Sequence, residues 1–514
     1  MQLLLKSLRP RRGQSSPRNE PGYVRALFLF LLCLVRPASA CTELAAGSHF
    51  WVRLTSPISS YSARRGMSVH GFLLDPPECE NSPVLPIKIP VEGRVVSAHR
   101  VGLGLWHETA SLELEFTRLL PPGTPPIEIR ARVQLVENAR EEVKKGVIHG
   151  IRATDTPQGT ISSRLKYMPS LHLYPDPFLL GYKLLFPIFP EPEIYLETGT
   201  DLELELSHPA PLPPDLPLPT ISPPQANLPE LAEDLTGLPE RTLTPKGKEA
   251  DVINFVFAGS DAQLEQAFTA AGWRQSDRVS RRSVRHSLYA FLLKDGYPTA
   301  PMSAQLLENR APELTLEKTF DSYEKRDHLR IWSLPPGPDG EPLWAGAAVR
   351  ETGATLSLMH KGFMHHVSPS LLDEQHIVVR DLQAVDCVDS VGSIARPEMG
   401  HIILNATGEI FRTDGTLTVV YLKSCAPDPH APDLQAQKSY HPGSRPFRTA
   451  RKWILTVRSD LWRANIIYSA FDLTRDTVQA VHRNSLHRAD LELYRQSSQS
   501  SLAVESPAKS GPSE

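Results

Sequence analysis

A proline-rich run near the middle of the chain limits how the polypeptide can fold. Residues 209–219 read Pro-Ala-Pro-Leu-Pro-Pro-Asp-Leu-Pro-Leu-Pro, and further prolines follow as far as Pro245. Proline lacks a backbone N–H and fixes φ, so neither a helix nor a central strand can continue through the run. The sequence therefore predicts a stiff, extended linker over residues 208–247, partly in the polyproline II conformation, between two domains. The 514 residues supply enough chain for both.

The first 40 residues have the three parts of an export signal. Arginines precede an apolar segment at residues 26–35, and Ala38-Ser39-Ala40 forms a small-residue cleavage site. We expect residues 1–40 to be a signal peptide and the mature protein to lie in the periplasm or on the extracellular face of the envelope. The alternatives are lipid anchoring at Cys41 and retention by an uncleaved signal. No later segment predicts a transmembrane helix.

Export changes how the cysteines are interpreted. The chain has five, and Cys33 lies within the signal. In an oxidising compartment the other four are expected to form disulfides, for which three pairings are possible. Proximity along the chain favours Cys41–Cys79 and Cys387–Cys425. No Cys-x-x-Cys motif is present, which argues against a zinc ribbon or a thioredoxin-like site.

Residues 41–207 are predicted to form an all-β domain. Ser111-Leu-Glu-Leu-Glu-Phe116 alternates apolar and charged residues, as a strand does when one face is buried and the other solvated. Leu202–Leu206 repeats that alternation. Other strand-like segments lie at residues 87–91, 93–99, 127–136 and 146–153. Short strands separated by glycine-containing turns are typical of a small barrel or sandwich.

Residues 248–485 are predicted to form a mixed α+β domain. Val252–Phe257 is apolar and rich in β-branched and aromatic residues, which favours a buried strand. Ser260 then predicts a helix N-terminus, with Gln263 completing a capping box. In a strand over 326–332, Leu329 and Ile331 share one face. The opposite face carries His328, Arg330 and Trp332. Ser368-Pro369 predicts the start of a second helix.

A basic run from Arg278 to Arg285 is predicted to be a solvated strand edge or loop, because arginine is rarely buried without a partner. Its functional alternative is a contact with an anion or a lipid headgroup. Further strands are predicted at residues 286–293, 301–307, 313–318, 343–350, 354–359, 409–412 and 416–422. Residues 453–458 and 465–471 are expected either to complete the central sheet or to form a terminal subdomain.

Short motifs follow one another in a specific order between residues 251 and 422. In chain order they are Asn254-Phe-Val-Phe-Ala-Gly-Ser260, Ala271-Gly-Trp273, Tyr297-Pro-Thr-Ala-Pro301, Asp327-His-Leu-Arg-Ile-Trp332, Trp344-Ala-Gly-Ala-Ala348, His365-His366, Asp373-Glu374 and Thr413-Asp-Gly415. In order and spacing they resemble the LssY C-terminal domain family. That family is bacterial and has no established reaction, so the resemblance implies an envelope setting and no catalytic role.

Four histidines and an aspartate in this region are suitable ligands for a divalent metal: His328, His365, His366, Asp373 and His376. On a helix, Asp373 and His376 are three residues apart and would share a face. The spacing matches no His-Glu-x-x-His pattern, and no Gly-x-Ser-x-Gly motif supplies a nucleophile. We therefore assign no catalytic residue, and whether the protein is an enzyme stays open.

The net charge of −3 argues against general nucleic-acid binding. The predicted class is α+β, with an N-terminal all-β barrel or sandwich domain, the proline-rich linker and a mixed α+β domain. A Ser-rich tail at residues 486–514 is predicted to be disordered. The predicted function is that of an exported bacterial cell-envelope protein acting as a binding or structural module, linked to secretion or to lipid and envelope processes. Its predicted partner is an envelope protein, a lipid or a glycan. A metal-dependent hydrolase is the alternative.

Overall fold

The structure is a computed structural model that describes residues 42–79, 82–83, 85–102, 107–152, 156, 190–213, 216, 228–320, 323–357, 362–405, 408–425 and 444–463, together with 474, 477–478, 481, 485 and 488. The predicted signal at residues 1–40 and most of the predicted tail lie outside these residues. So does Cys41, and the predicted Cys41–Cys79 disulfide with it. None of the helices in the described ranges combines the length and apolarity needed to cross a membrane.

The described residues between 43 and 211 contain fourteen strands and no helix: β1 Glu43–Leu44, β2 His49–Leu54, β3 Ile58–Ser59, β4 Ser68–Asp75, β5 Glu78–Cys79, β6 Ser82–Pro83, β7 Pro90–His99, β8 Ser111–Leu119, β9 Ile127–Val136, β10 Glu142–Lys144, β11 Val147–His149, β12 Tyr195–Leu196, β13 Asp201–Leu206 and β14 Ala210–Pro211. Six of these form a closed antiparallel barrel in the order β8-β7-β4-β2-β13-β9, because β9 pairs again with β8. The prediction of an all-β barrel or sandwich domain is confirmed as a barrel.

The barrel forms because its strands alternate buried and exposed residues. In β9 the buried positions include Ile127, Ile129, Ala131 and Val133, and the residues between them are exposed. A period of two residues places every second side chain inside a closed sheet. The hairpin of β10 and β11 extends the same sheet beyond β8.

Five helices are described, all of them after the barrel: α1 Leu228–Asp234, α2 Asp261–Ala270, α3 Arg281–Leu293, α4 Leu371–Ala384 and α5 Arg445–Arg463. Helix α1 lies within the stretch predicted to be an extended linker. Its Leu231 and the following Leu235 are buried against Trp332 and Val256 of the C-terminal sheet. From Leu228 onward, this stretch is therefore part of the C-terminal domain. The burial of two leucines holds it against the sheet, despite the extended conformation that the local prolines favour.

The C-terminal domain contains twelve strands: β15 Arg241–Leu243, β16 Glu249–Val252, β17 Phe255–Ala258, β18 Arg274–Gln275, β19 Leu314–Thr319, β20 Arg326–Leu334, β21 Leu343–Ser357, β22 Gly362–Val367, β23 Val388–Ala395, β24 Ile402–Leu404, β25 Ile410–Arg412 and β26 Thr416–Leu422. The main sheet has the order β18-β19-β20-β21-β17-β26-β23, and β22 pairs with β21. Only β17 and β26 pair in parallel, so the mixed α+β prediction is confirmed.

The two faces of this sheet have different coverings. Leu329 and Ile331 pack in one core with α2 and α4, whereas Trp332 packs in another core with α1. The predicted alternation along β20 is therefore confirmed. The predicted capping box of α2 is present, with Ser260 accepting from the Gln263 N–H. Helix α4 begins after Ser370, one residue beyond the predicted Ser368-Pro369 signal.

The prediction for residues 278–293 was wrong. Ser280 and Ser283 form a capping box, and Arg281–Leu293 is helix α3 in place of a strand edge followed by a strand. The buried positions Ser283, Ser287, Ala290 and Phe291 recur at helical spacing, but two of them are serines. An apolar-residue pattern therefore could not reveal the buried face.

Three other strand predictions also differ from the structure. Residues 301–307 contain only isolated bridges at Leu306 and Leu307, and the two strands predicted at 343–350 and 354–359 are one strand, β21. Residues 453–458 belong to α5, which packs on the barrel through Arg451 and Glu193. The predicted Cys387–Cys425 disulfide is present.

Candidate functional site

A buried ion cluster joins the barrel to the face of the sheet covered by α4. Asp381 of α4 accepts hydrogen bonds from Arg53 of β2 at 2.7 Å and from Lys318 of β19 at 2.5 Å. Arg53 also donates two hydrogen bonds to Asp201 of β13, at 2.7 and 2.8 Å. All four side chains are buried. Each charge therefore has an opposite charge beside it, which buried charges require.

The partners of these groups determine their ionisation. Burial alone would raise the pKa of Asp381, but Lys318 and Arg53 outweigh it and hold the pKa below its ordinary value. Burial lowers the pKa of Lys318, and the nearby Arg53 guanidinium lowers it further. We conclude that Asp381 is ionised over the whole physiological range.

A second contact between the domains is centred on Arg350 of β21. Its guanidinium donates to Asp327 at 2.7 and 2.9 Å and to Glu137 of the barrel at 3.1 Å. Lys325 lies 2.5 Å from the same Glu137 carboxylate. Glu374 of α4 is fully buried 3.5 Å from Arg350, and burial raises its pKa well above the ordinary value. Burial likewise raises the pKa of Asp327, an effect that Arg350 opposes, so the Arg350 guanidinium is what keeps these two buried acids in place.

The opposite face of the same strands carries a second buried cluster. Arg326 donates to Glu351 at 2.6 Å and to Glu317 at 3.3 Å. His328 lies between the two acids, with Nδ1 3.2 Å from Glu351 and Nε2 3.6 Å from Glu317. The register explains this grouping, because Glu317 pairs with His328 and Arg326 pairs with Glu351 across neighbouring strands.

Burial determines the chemistry of this cluster. It raises the pKa of Glu317 to about 8, an effect that Arg326 opposes and Glu351 increases. Glu317 is 0% exposed and His328 is 5% exposed, so neither side chain is accessible to a substrate from solvent. We assign the cluster a structural role in the sheet.

The predicted metal ligands are held by different partners. His328 belongs to the cluster just described, His366 Nδ1 lies 2.8 Å from Glu409, and His376 Nε2 lies 2.9 Å from Asp75 of the barrel. Asp373 is exposed on the first turn of α4. The side chain of His365 lies outside the described residues.

These ligands therefore do not converge on one point as far as the structure describes them. No three His, Cys, Asp or Glu side chains within the described ranges form a group that could hold a metal ion. We derive no chemical step through a metal, and the assignment that includes His365 stays a prediction.

An open cavity of about 470 Å³ lies beside the start of α3. It is lined by both charged and hydroxyl side chains: Asp277, Arg278, Ser280, Arg282, Ser283, His286, Tyr297 and Thr299. A second cavity of about 320 Å³ shares Arg282 and His286 with it and adds Arg285 and Tyr289. The two cavities therefore follow one side of α3, with guanidinium groups in both.

The far wall of the larger cavity is rigid and polar. The Tyr297 hydroxyl donates to Asp277 at 2.5 Å, and Thr299 donates to the same carboxylate oxygen at 3.1 Å. The His286 ring stacks on Tyr297 with 3.9 Å between ring centroids. Burial raises the pKa of Tyr297, and its hydrogen bond to Asp277 raises it further, so the phenol remains a donor. Because the Tyr297 and Thr299 hydroxyls already donate to Asp277, the arginines are the groups of the cavity that are available to bind a ligand.

Comparison with known proteins finds a family match for one segment of the chain. A family model described as LssY C-terminus matches residues 235–417. The resemblance found in the sequence is thereby confirmed for this segment, which we call the LssY-like domain. The match begins at Leu235, directly after α1, in agreement with the burial of Leu231 and Leu235 in this domain. The cluster of Arg326, His328, Glu317 and Glu351 and both cavities of α3 fall within it.

Other comparisons add little about function. ComB10 of the Com type IV secretion system of Helicobacter pylori is 12% identical to this chain, with a TM-score of 0.21. The likeness covers 34% of this chain and 94% of that one. At this TM-score it carries no argument about fold or activity. No curated protein matches the chain.

The residues that join the domains could not be found from the sequence. Arg53 and Asp381 are separated by 328 residues, and neither lies in a recognisable motif. The α3 cavity left a clearer signal, because the basic run from Arg278 to Arg285 is visible in the sequence. The sequence analysis did not predict that most of this run is helical.

Proposed function

We propose that the protein is an exported cell-envelope binding module that holds an anionic group in the cavity beside α3. The observation that carries this proposal is the placement of Arg278 and Arg282 together with His286 in one open cavity. Guanidinium groups donate several hydrogen bonds in a fixed fork that suits phosphate or carboxylate. The barrel and the ion clusters hold the LssY-like domain in place, which is the structural part of this function.

Two observations support a binding role over catalysis. The buried acids and His328 of the sheet are engaged with one another and are closed to solvent. The cavity itself contains hydroxyl groups and arginines, which bind anions, and its one acid, Asp277, is held by Tyr297 and Thr299. The hydrolase alternative has no such support among the described residues.

Export is supported by the Cys387–Cys425 disulfide. Disulfides persist in oxidising compartments and are rare in the cytosol. Cell fractionation followed by alkylation of free thiols tests this part of the proposal. We expect the mature protein in the periplasmic or outer-surface fraction, with Cys387 and Cys425 protected until reduction. Recovery of a reduced protein in the cytosol would refute export.

Anion binding is tested by titrating the purified mature protein with glycerol 3-phosphate in an isothermal calorimeter at low ionic strength. We expect saturable binding that weakens with salt and falls at least tenfold in Arg282→Gln, since a lost charged hydrogen bond costs about 1.5–3 kcal/mol. Arg65→Gln is the matched control, because Arg65 is exposed on the barrel and lines neither cavity. Equal affinity in wild type and Arg282→Gln would reject the site.

A further inference from the structure

Helix α3 directs three apolar or aromatic residues outward. Its buried face consists of Ser283, Ser287, Ala290 and Phe291. Val284 is 50% exposed, Leu288 38% and Tyr289 40%. A helix that packs on a soluble core normally buries such residues and exposes polar ones. The outward face of α3 therefore presents an apolar surface that the domain itself does not cover.

The same outward face is strongly basic. Arg281 and Arg285 are exposed one turn apart, and Leu288 follows at the next turn, so all three share one side of the helix. Arg278 and Arg282 add two more positive charges. None of these four arginines takes part in an ion pair within the described residues. The nearest acid in the cavity, Asp277, already accepts from Tyr297 and Thr299.

The two cavities place the arginines beside Tyr289, whereas Val284 and Leu288 line neither cavity. Arg282 and His286 belong to both, and the smaller one extends to Arg285 and Tyr289. At the helix start, the Ser280 hydroxyl already accepts from the Ser283 N–H. A small anion in the cavities would therefore meet the guanidinium groups, and only an extended anionic surface would also reach Val284 and Leu288.

We infer that α3 docks on the surface of an anionic phospholipid bilayer, with a headgroup phosphate in the cavities and Val284 and Leu288 at the acyl boundary. This deepens the proposed function by naming the source of the anion. Basic amphipathic helices bind in this way, lying in the interface with apolar side chains inserted and cations against anionic lipid. Charge complementarity favours an anionic occupant. A bilayer would also cover the exposed Val284 and Leu288, which a free phosphate would leave in water.

Vesicle co-sedimentation of the full mature chain tests the inference. The probes are vesicles of phosphatidylcholine alone and vesicles with about one-third phosphatidylglycerol, a fraction that gives a strongly anionic surface. We expect binding only to the anionic vesicles. Arg282→Gln/Arg285→Gln should reduce it at least tenfold, and Val284→Gln/Leu288→Gln should reduce it several-fold while binding of glycerol 3-phosphate in solution is unchanged. Arg64→Gln/Arg65→Gln, on the barrel, should bind like wild type.

The results separate this inference from the proposed function. Binding of glycerol 3-phosphate without binding of anionic vesicles would overturn the bilayer inference and leave the proposed function standing. If Arg282→Gln/Arg285→Gln still binds both glycerol 3-phosphate and anionic vesicles like wild type, the bilayer inference and the proposed function are both overturned. Helix α5 also exposes apolar residues, Phe447 and Ile454. If Phe447→Gln/Ile454→Gln abolishes vesicle binding and the α3 variants do not, the bilayer contact is on α5 and the inference is wrong.

Discussion

Arg53 of the barrel donates a 2.7 Å hydrogen bond to Asp381 of helix α4, across 328 residues of sequence. The same guanidinium holds Asp201 within the barrel, and Lys318 holds the other oxygen of Asp381. A single buried cluster thus connects two strands of the barrel with a strand and a helix of the LssY-like domain. Because none of these charges can be left alone in the interior, the two domains are coupled in stability.

Arg53→Met should destabilise the protein by about 3–5 kcal/mol, because it leaves Asp201 and Asp381 buried with fewer cations. Urea unfolding of the purified protein measures this loss. Arg94→Met is the control, since Arg94 pairs with Glu115 on the barrel surface and is 56% exposed; it should cost no more than about 1 kcal/mol. Similar losses in the two variants would contradict the coupling of the domains through Arg53.

Glu317→Gln should change how stability depends on pH. The pKa of Glu317 is about 8 in the fold and has an ordinary value of 4.5. Between these values the folded protein retains a proton that the unfolded chain has released, so wild-type stability falls as pH rises through this window. Glutamine has no proton to lose, so the variant's free energy of unfolding should fall less steeply with pH than that of wild type. The two slopes should differ by up to about 1.4 kcal/mol per pH unit.

The measurement is the free energy of unfolding at several pH values between 4.5 and 8. Glu142→Gln serves as the control, because the Glu142 side chain is 68% exposed. Its pH profile should follow that of wild type. Parallel profiles for Glu317→Gln and wild type would show that Glu317 ionises normally in the fold.

Removing the Cys387–Cys425 disulfide should destabilise the LssY-like domain. The bridge closes a loop with a sequence separation of 38 residues, for which the chain-entropy model gives about 4 kcal/mol. We expect Cys387→Ser/Cys425→Ser to lose about 2–4 kcal/mol in denaturant unfolding without reductant. A thiol assay on the unfolded variant provides a second result: no free thiol is expected if Cys41 and Cys79 are also paired.

Gly93→Ala should destabilise the barrel by about 1–3 kcal/mol through overpacking. A Cβ at Gly93 would lie 2.7 Å from the Glu115 carbonyl oxygen and 2.9 Å from the Phe116 ring, and the backbone of β8 cannot move away without breaking its pairing. Gly237→Ala is the matched control, because no atom lies within 4 Å of its Cβ position. Thermal unfolding should show a lower midpoint for the first variant and little change for the second.

Much of the LssY-like domain could be predicted because its signals are local. The capping box at Ser260 and Gln263, the alternation of Leu329 and Ile331 with His328 and Trp332, and the Cys387–Cys425 pairing all involve residues close together in the chain. Helix α3 was missed for the converse reason. Two of its four buried residues are serines, so its apolar residues do not mark one helical face, and the segment was predicted to be a strand edge or loop followed by a strand.

By itself, the sequence determined the all-β character of the first domain, the mixed character of the second and the family resemblance of residues 251–422, which the family match over residues 235–417 supports. These depend on periodicity and on short motifs, which one stretch of chain contains in full. Only the tertiary structure decided that Arg53, Lys318 and Asp381 form one cluster, because the partners of a buried charge are the residues that the fold brings next to it. The tertiary structure also decided that the basic run is the exposed side of a helix, since burial on the opposite side is a property of the packed fold.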